Sequence, residues 1–420
     1  MSGLHQVIIG ASAAGLAAVE AIRQVDTVCP ITVISKEPMP LYSRVGLTHF
    51  MTRDVGYDGM QMRDDGYFDR MKVRALMGVA ALAVDPKERR VALSNGESLA
   101  YDHLLVASGS DAVTPPIPGT ELRGIHPCMT NVDAKEIDGA IPRATEAAVI
   151  GAGLIGIQVV DAFARRGLKT AAIEMMPSLM PAMADQVSAT MVEEDLRKAG
   201  VTVFSGCRAT EILGKDGHVS GVRVASGDVI PCQLLVLAAG VAPNLDFLDG
   251  TGVTVERGLV VDARQRTSLD GIYAAGDVAE TADLLTGERW VNAIWPEALN
   301  QGRVAGLNMA GVPTAYEGSL AMNVTAVLHN PIASIGLWNP QNGDYQVHAI
   351  RDDQTRTYRK LVFEGDQLVG AMLLGRYDDA GILHNMIRTR TMFTLKPRDL
   401  ARGTVRWGTV LRAIDRVGKV

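Results

Sequence analysis

The chain has 420 residues, 47% of them hydrophobic and 21% charged, and a formal net charge of −6. That length supports two or three domains with large cores, and the mild acidity gives no reason to expect a nucleic-acid partner. Four scattered cysteines speak against a disulfide scaffold and for a reducing, cytoplasmic compartment. No run of about 18 apolar residues suggests a membrane span, and the chain enters a predicted strand too early to leave room for a signal peptide.

Residues 5–9 read as a strand buried on both faces, and they run into Gly10-Ala-Ser-Ala-Ala-Gly15 and a helix-like stretch. Such a turn must be tight, must let backbone approach a pyrophosphate and must let the helix pack on the strand. Glycine serves each need because it lacks Cβ. The helix N-terminus then offers free N–H groups and a positive dipole end to phosphates. Ser12 replaces the middle glycine; its hydroxyl can donate to a phosphate, while its Cβ restricts approach. After the predicted strand 31–34 the acidic slot is Ser35, and Glu37 two residues on is the expected ribose ligand. Residues 103–109 form another buried strand that ends in small residues, Ala107, Ser108 and Gly109.

The same pattern then returns. Residues 147–150 lead into Gly151, Gly153 and Gly156, with Leu154 and Ile155 opening the helix. Glu174 follows the predicted strand 170–173, where a carboxylate holds a ribose diol. Met175 and Met176 come next, with no Arg to receive a 2′-phosphate, so this copy favours NAD over NADP. Residues 233–240 repeat the pattern of 103–109 and end in Ala239 and Gly240, and a third such strand ends in Gly276-Asp277. Beyond residue 318, residues 323–328, 333–337, 357–363 and 367–374 look like strands, with a hairpin turn at Glu364-Gly-Asp366. Two glycine turns in one chain point to two nucleotides held at once, hence to electron transfer between two cofactors.

These motifs resemble those of the FAD-dependent pyridine nucleotide–disulfide oxidoreductase superfamily. The matches are Gly10…Gly15, Leu105-Val-Ala-Ser-Gly109, Pro115-Pro-Ile-Pro-Gly119, Gly151-x-Gly-x-x-Gly156, Ala239-Gly-Val-Ala-Pro-Asn244 and Tyr273-Ala-Ala-Gly-Asp277. The resemblance implies an α/β fold of two Rossmann-like dinucleotide-binding domains plus a C-terminal mixed α/β interface domain. Residues 1–118 and 246–318 would form the FAD domain, 119–245 the NAD domain and 319–420 the interface domain. It implies an FAD site at Gly10, Ser12, Ala14 and Gly15, joined by Glu37, Arg44, Ala80, Ala107, Ser108, Gly109, Gly276 and Asp277, with Asp277 on the ribityl chain. NAD(H) would lie on Gly151, Gly153, Leu154, Ile155, Gly156, Gln158, Glu174, Ala239 and Gly240. Within the superfamily, Pro40-Leu-Tyr-Ser-Arg44 and Trp295-Pro-Glu-Ala-Leu-Asn-Gln-Gly302 look most like the branch of NADH:rubredoxin and ferredoxin reductases. That branch includes NAD-linked flavin subunits of larger anaerobic complexes. Arg44 is expected near the FAD phosphates or the flavin edge. Pro296 suits a first helical position, and Trp295 and Pro296 would open a helix whose positive end faces the flavin N1/O2 locus.

The departures narrow the chemistry. Thiol-using members carry redox cysteines soon after the first glycine turn, where this chain reads Ser43-Arg44-Val45-Gly46. Cys207 and Cys232 lack metal-ligand spacing, and no metal is expected. Gln158 stands where a Glu is common; it is either a neutral neighbour of the nicotinamide carboxamide or a helix-surface residue. No catalytic acid or base emerges, since hydride transfer needs positioning more than proton transfer, and His329 and His384 read as structural. Residues 381–420 hold nine Lys/Arg and two acids, leaving −13 for the rest. With Trp407 among the arginines, this tail is a candidate dock for an acidic carrier. The expectation is a hydride step between nicotinamide C4 and flavin N5, linked to a separate iron–sulfur or rubredoxin-type protein or subunit, in a larger complex or a homodimer. The alternatives are a stand-alone NADH oxidase using O2 and an NAD-responsive binding protein of the apoptosis-inducing-factor type.

Overall fold

The computed structural model describes residues 3–38, 41–391 and 400–401. The elements that organise it are, in chain order, β1 (Gln6–Ile9), α1 (Ala13–Val25), β2 (Ile31–Ser35), β3 (Val73–Met77), β4 (His103–Val106), β5 (Ile125–Pro127), β6 (Glu146–Ile150), α2 (Leu154–Arg165), β7 (Lys169–Ile173), α3 (Gln186–Lys198), β8 (Thr202–Phe204), β9 (Leu234–Leu237), β10 (Ile272–Ala274), α4 (Trp295–Met309), β11 (Met322–Val327), β12 (Asn330–Gly336), β13 (Tyr345–Asp352), β14 (Thr357–Glu364), β15 (Gln367–Leu374) and α5 (Ala380–Arg388).

The chain forms two compact units. The first comprises the residues up to Gly46, Val55–Asp111 and Val241–Ser319; the second comprises Leu47–Asp54, Ala112–Gly240 and the described residues from Leu320 onward.

The first unit is built on a parallel sheet in the order β10-β4-β1-β2-β3. Its central strand is apolar because both faces are covered: Val7 and Ile8 are fully buried. Helix α1 buries Ala13, Ala14, Leu16, Ala18, Val19, Ala21 and Ile22. Helix α4 lies along it at very close range. A Cβ at Gly302 would stand 2.1 Å from the Ala14 carbonyl oxygen, and one at Gly306 2.5 Å from that of Ala18. These pairings run in the same direction along both helices, so α4 extends about six residues, roughly 9 Å, ahead of the N-terminus of α1.

The second unit contains a parallel sheet in the order β8-β7-β6-β9-β5 and an antiparallel sheet in the order β11-β12-β15-β14-β13. Four strands of the antiparallel sheet fall where the sequence places them, and Glu364 pairs with Gln367 across the expected hairpin. The fifth, β13, was not expected. It is an edge strand exposed along almost its whole length, so it lacks the period-2 apolar signal of a half-buried strand. Among the described residues no helix is long and apolar enough to cross a membrane. The basic tail from Lys396 on, including Trp407, lies outside the described residues apart from Leu400 and Ala401.

Candidate dinucleotide sites

The two glycine turns are built by the same hydrogen bonds. Gly10 N–H donates to Ile34 O and Gly151 N–H to Ile173 O, each at 2.8 Å. Ala107 N–H donates to Ile9 O and Ala238 N–H to Ile150 O, again at 2.8 Å. Gly10 and Gly151 adopt φ of +118° and +92°, open to glycine at little cost. The last glycine of each turn sits under its own loop: a Cβ would stand 1.9 Å from the Gly10 oxygen at Gly15 and 1.8 Å from the Gly151 oxygen at Gly156. The middle position differs. No heavy atom lies within 4 Å of where a Gly153 Cβ would project, so the backbone there is open to a ligand at the start of α2. Ser12 holds the equivalent place as the N-cap of α1, and its side chain makes no capping bond. Both turns fit a pyrophosphate against a helix N-terminus.

Around the first turn, the predicted residues gather at the carboxyl ends of β1, β2, β4 and β10. Ala14 is buried beside Gly276, whose Cβ would meet that of Ala14 at 3.3 Å. Glu37 and Arg44, expected to serve different parts of the cofactor, form an ion pair. The Tyr42 hydroxyl donates to the other Glu37 oxygen at 2.6 Å, which fixes the carboxylate and leaves lone pairs for a ribose diol. Ala80 has little polar capacity left: its N–H donates to Ser94 Oγ and its carbonyl accepts the Ser94 N–H. The Ser108 hydroxyl donates to Asn244 O at 2.7 Å, and Asn244 N–H returns to Gly109 O at 2.9 Å, so both residues hold the loop that follows β4. Asp277 accepts from Ser110 Oγ at 2.8 Å. Trp295 is the first residue of α4 and Pro296 the second, one place later than the sequence suggested. The missing N–H is still one that would lack a helical partner.

Around the second turn, Glu174 is buried and accepts two backbone N–H groups, from Ala152 and Met176, each at 2.7 Å. The carboxylate therefore fastens the glycine turn as well as closing β7. Met175 and Met176 beside it are exposed. Leu154 and Ile155 open α2, with Ile155 40% exposed. Ala239 and Gly240 are exposed past the tip of β9, and Gly240 O accepts the Val113 N–H. Gln158 is tied to two threonines. Thr48 Oγ1 donates to its Oε1, and its Nε2 donates to Thr325 Oγ1, each at 2.7 Å. Each end of the amide meets one protein group.

Several residues escaped the sequence reading. Ser110, Thr48 and Thr325 reach their partners only through the fold, and no spacing announces them, whereas Tyr42 lies in the 40–44 run. Gln301 was within reach, because it lies in the 295–302 run; it is fully buried and accepts the Gly276 N–H at 2.8 Å. Among the described residues no group of three or more His, Cys, Asp or Glu side chains is arranged to hold a metal.

Residues 4–302 match the profile of pyridine nucleotide-disulphide oxidoreductases. The chain belongs to that family. It is an FAD-dependent oxidoreductase that uses NAD(H). Residues 322–391 match the rubredoxin NAD+ reductase C-terminal domain. The chain is 32% identical over 393 residues to the NADH-dependent phenylglyoxylate dehydrogenase subunit epsilon of Aromatoleum evansii, covering 92% of each. It is 28% identical to the rubredoxin-NAD(+) reductase of Pseudomonas putida, over 73% of this chain and 80% of that one. Some curated relatives are longer: the chain spans 47% of a nitrite reductase of Bacillus subtilis. Among solved structures, a NAD-dependent persulfide reductase from A. fulgidus shares the fold with a TM-score of 0.86 and 29% identity, over 92% of this chain and 77% of that one.

Proposed function

We propose that this oxidoreductase passes electrons between NAD(H) and an iron–sulfur or rubredoxin-type protein, either a free carrier or a neighbouring subunit, without a sulfur relay. The supporting observation is the state of its thiols. Where thiol-using members of the family place a redox cysteine, this chain reads Ser43-Arg44-Val45-Gly46. The four cysteines lie elsewhere and are free. Burial pushes the Cys128 and Cys232 thiols up to about 12 and raises Cys29, the opposite of what a reactive thiolate requires.

In this reading, residues 1–118 and 246–318 serve FAD, 119–245 serve NAD(H), and 319–420 form the interface with the partner. The turn from Gly10 to Gly15 and the N-terminus of α1 hold the FAD pyrophosphate. Glu37, steadied by Tyr42 and Arg44, takes the adenosine ribose, and Asp277, steadied by Ser110, takes the ribityl chain. Gly151, Gly153 and Gly156 cradle the NAD pyrophosphate, and Glu174 takes its ribose diol. Gln158 acts as a strut that fixes Thr48 against α2. FAD, when bound, supplies the exchange between a two-electron hydride donor and one-electron acceptors. The names of two relatives fit this reading, a rubredoxin-NAD(+) reductase and a subunit of an NADH-dependent dehydrogenase, whereas that of a third, an NADH oxidase, fits the oxygen-reducing alternative. The free thiols suit a cytoplasmic setting.

The test is anaerobic turnover of the FAD-loaded protein with NADH and either rubredoxin or a [2Fe–2S] ferredoxin. Carrier reduction should exceed the rate of NADH oxidation by O2 alone. A rate under air that no carrier increases would overturn the proposal in favour of an NADH oxidase. Removing residues 397–420 should slow reduction of the iron–sulfur acceptor more than reduction of a small dye.

A further inference from the structure

Helix α4 turns its first acidic residue inward. Glu297 is 6% exposed, although it lies in the helix's first turn. The Tyr316 hydroxyl donates to its carboxylate and lies 3.1 Å from Ser319 Oγ, which is 2.7 Å from Thr281 Oγ1. One turn further along α4, Gln301 is fully buried and accepts the Gly276 N–H through Oε1. Its Nε2 is buried too and completes no hydrogen bond among the described residues. Gln301 is near enough to Tyr316 to favour the ionised phenol, yet burial and then Glu297 outweigh it and hold that phenol well above its usual range. Tyr316 therefore stays protonated and remains a donor to Glu297. Helix α4 thus carries two buried polar side chains one turn apart, Glu297 held by Tyr316 and Gln301 holding the Gly276–Asp277 turn, inside the first unit.

Buried polar groups at this depth are costly unless they fix something. Gln301 fixes the Gly-Asp turn proposed to hold the ribityl chain. Glu297 lies in the first turn of α4, which extends about six residues ahead of the N-terminus of α1. An unopposed helix N-terminus stabilises added negative charge, such as a flavin gains on reduction. A carboxylate in the same turn opposes that effect.

We propose that Glu297 sets the reduction potential of the bound flavin, as a buried negative charge that Tyr316 and Gln301 hold in register with Asp277. This rests on the reading that the first turn of α4 faces the flavin. Glu297 is then a positioning and charge-setting residue rather than a catalytic one. It holds the potential down, and so makes the reduced protein a stronger donor to its partner.

The test uses the FAD-loaded protein, titrated anaerobically against a reference dye. Glu297→Gln keeps the side chain's shape and an acceptor for Tyr316 but removes the charge. The oxidised-to-reduced equilibrium should shift toward reduced flavin by roughly tenfold, the effect of one charge on a near neighbour in a protein interior. For a two-electron couple that is about 30 mV more positive. Tyr316→Phe, which frees the carboxylate from its donor, should also move the potential, and Glu297→Asp should leave it near the wild-type value. A merely structural role would lower FAD retention or melting temperature and leave the potential in place. Trp295→Phe separates the two layers of the argument. If it perturbs flavin absorption or fluorescence while Glu297→Gln leaves the potential unmoved, the proposal is overturned and the placement of α4 stands. If neither variant affects the flavin, the placement fails and takes the proposal with it. Should Glu297→Gln not retain FAD, Tyr316→Phe decides: an unmoved potential overturns the proposal.

Discussion

The two glycines that begin and support α2 should separate stability from binding. An added Cβ at Gly156 would lie 1.8 Å from the Gly151 oxygen and 2.9 Å from its carbon. A relaxed carbon–oxygen contact is about 3.3 Å, so α2 must retreat by about 1.5 Å. The clash is with backbone, which has no rotamer to escape through, so the cost sits at the upper end for overpacking, about 3 kcal/mol. At about 2–4 °C per kcal/mol for a unit of this size, Gly156→Ala should melt roughly 6–12 °C lower. It should also carry the N-terminal N–H groups of α2 out of reach of a phosphate. An alanine at position 153 meets no heavy atom within 4 Å, and loses only the N-cap preference for glycine, about 0.5–1 kcal/mol. Gly153→Ala should therefore melt within about 4 °C of wild type. Its methyl would stand where the pyrophosphate approaches the backbone, so NADH affinity should fall at least about tenfold, or about 1.4 kcal/mol. Thermal melts and anaerobic NADH titrations of both variants read the two effects. A Gly153→Ala protein that binds NADH like wild type would refute the cradle, and a Gly156→Ala protein that melts normally would refute the close contact.

Glu174→Ala removes the acceptor for two backbone N–H groups, each a charge-assisted bond of about 1.5–3 kcal/mol. It should raise the KM for NADH at least about tenfold, and an unchanged KM would mean that the carboxylate does not meet the ribose. Asp277→Ala should release FAD on gel filtration, whereas a fully flavinylated, active variant would remove its ribityl role. Cys128 and Cys232, at about 12 through burial with a smaller push from Asp133 and Glu146, should be about one part in 10⁴ thiolate at pH 8. A thiol reagent should label half-buried Cys207 first; rapid labelling of either buried thiol in native protein would contradict their burial. Because folding raises both pKa values, their contribution to stability is complete below the ordinary thiol range near pH 8.5 and is lost as pH rises toward about 12.

The duplicated turn was legible in the sequence because its requirements are local. A strand buried on both faces, a carbonyl that admits no Cβ and a helix start all leave their mark on adjacent residues. The same holds for β14 and β15, whose hairpin turn is two residues long. What remained hidden was set by long-range contact. Gln158 meets Thr48 and Thr325, which are 110 and 167 residues away, and no pattern in any single segment records that meeting. Glu37 and Arg44 were each legible as polar residues near a cofactor, but their pairing depends on how residues 41–46 fold back on the end of β2. The edge strand β13 was invisible because water on both sides removes the alternation that marks a half-buried strand.

The groove between α1 and α4 also orders events in time. Gly302 and Gly306 must settle on Ala14 and Ala18, and the Gln6 amide must reach the Met309 carbonyl, across 303 residues. A ribosome will have released the whole of residues 112–240 before the other half of that groove exists. The N-terminal strand and helix therefore wait, unfinished, for a partner synthesised much later. Nascent chains stalled before residue 302 should fail to capture flavin, and chains stalled well beyond residue 319 should succeed.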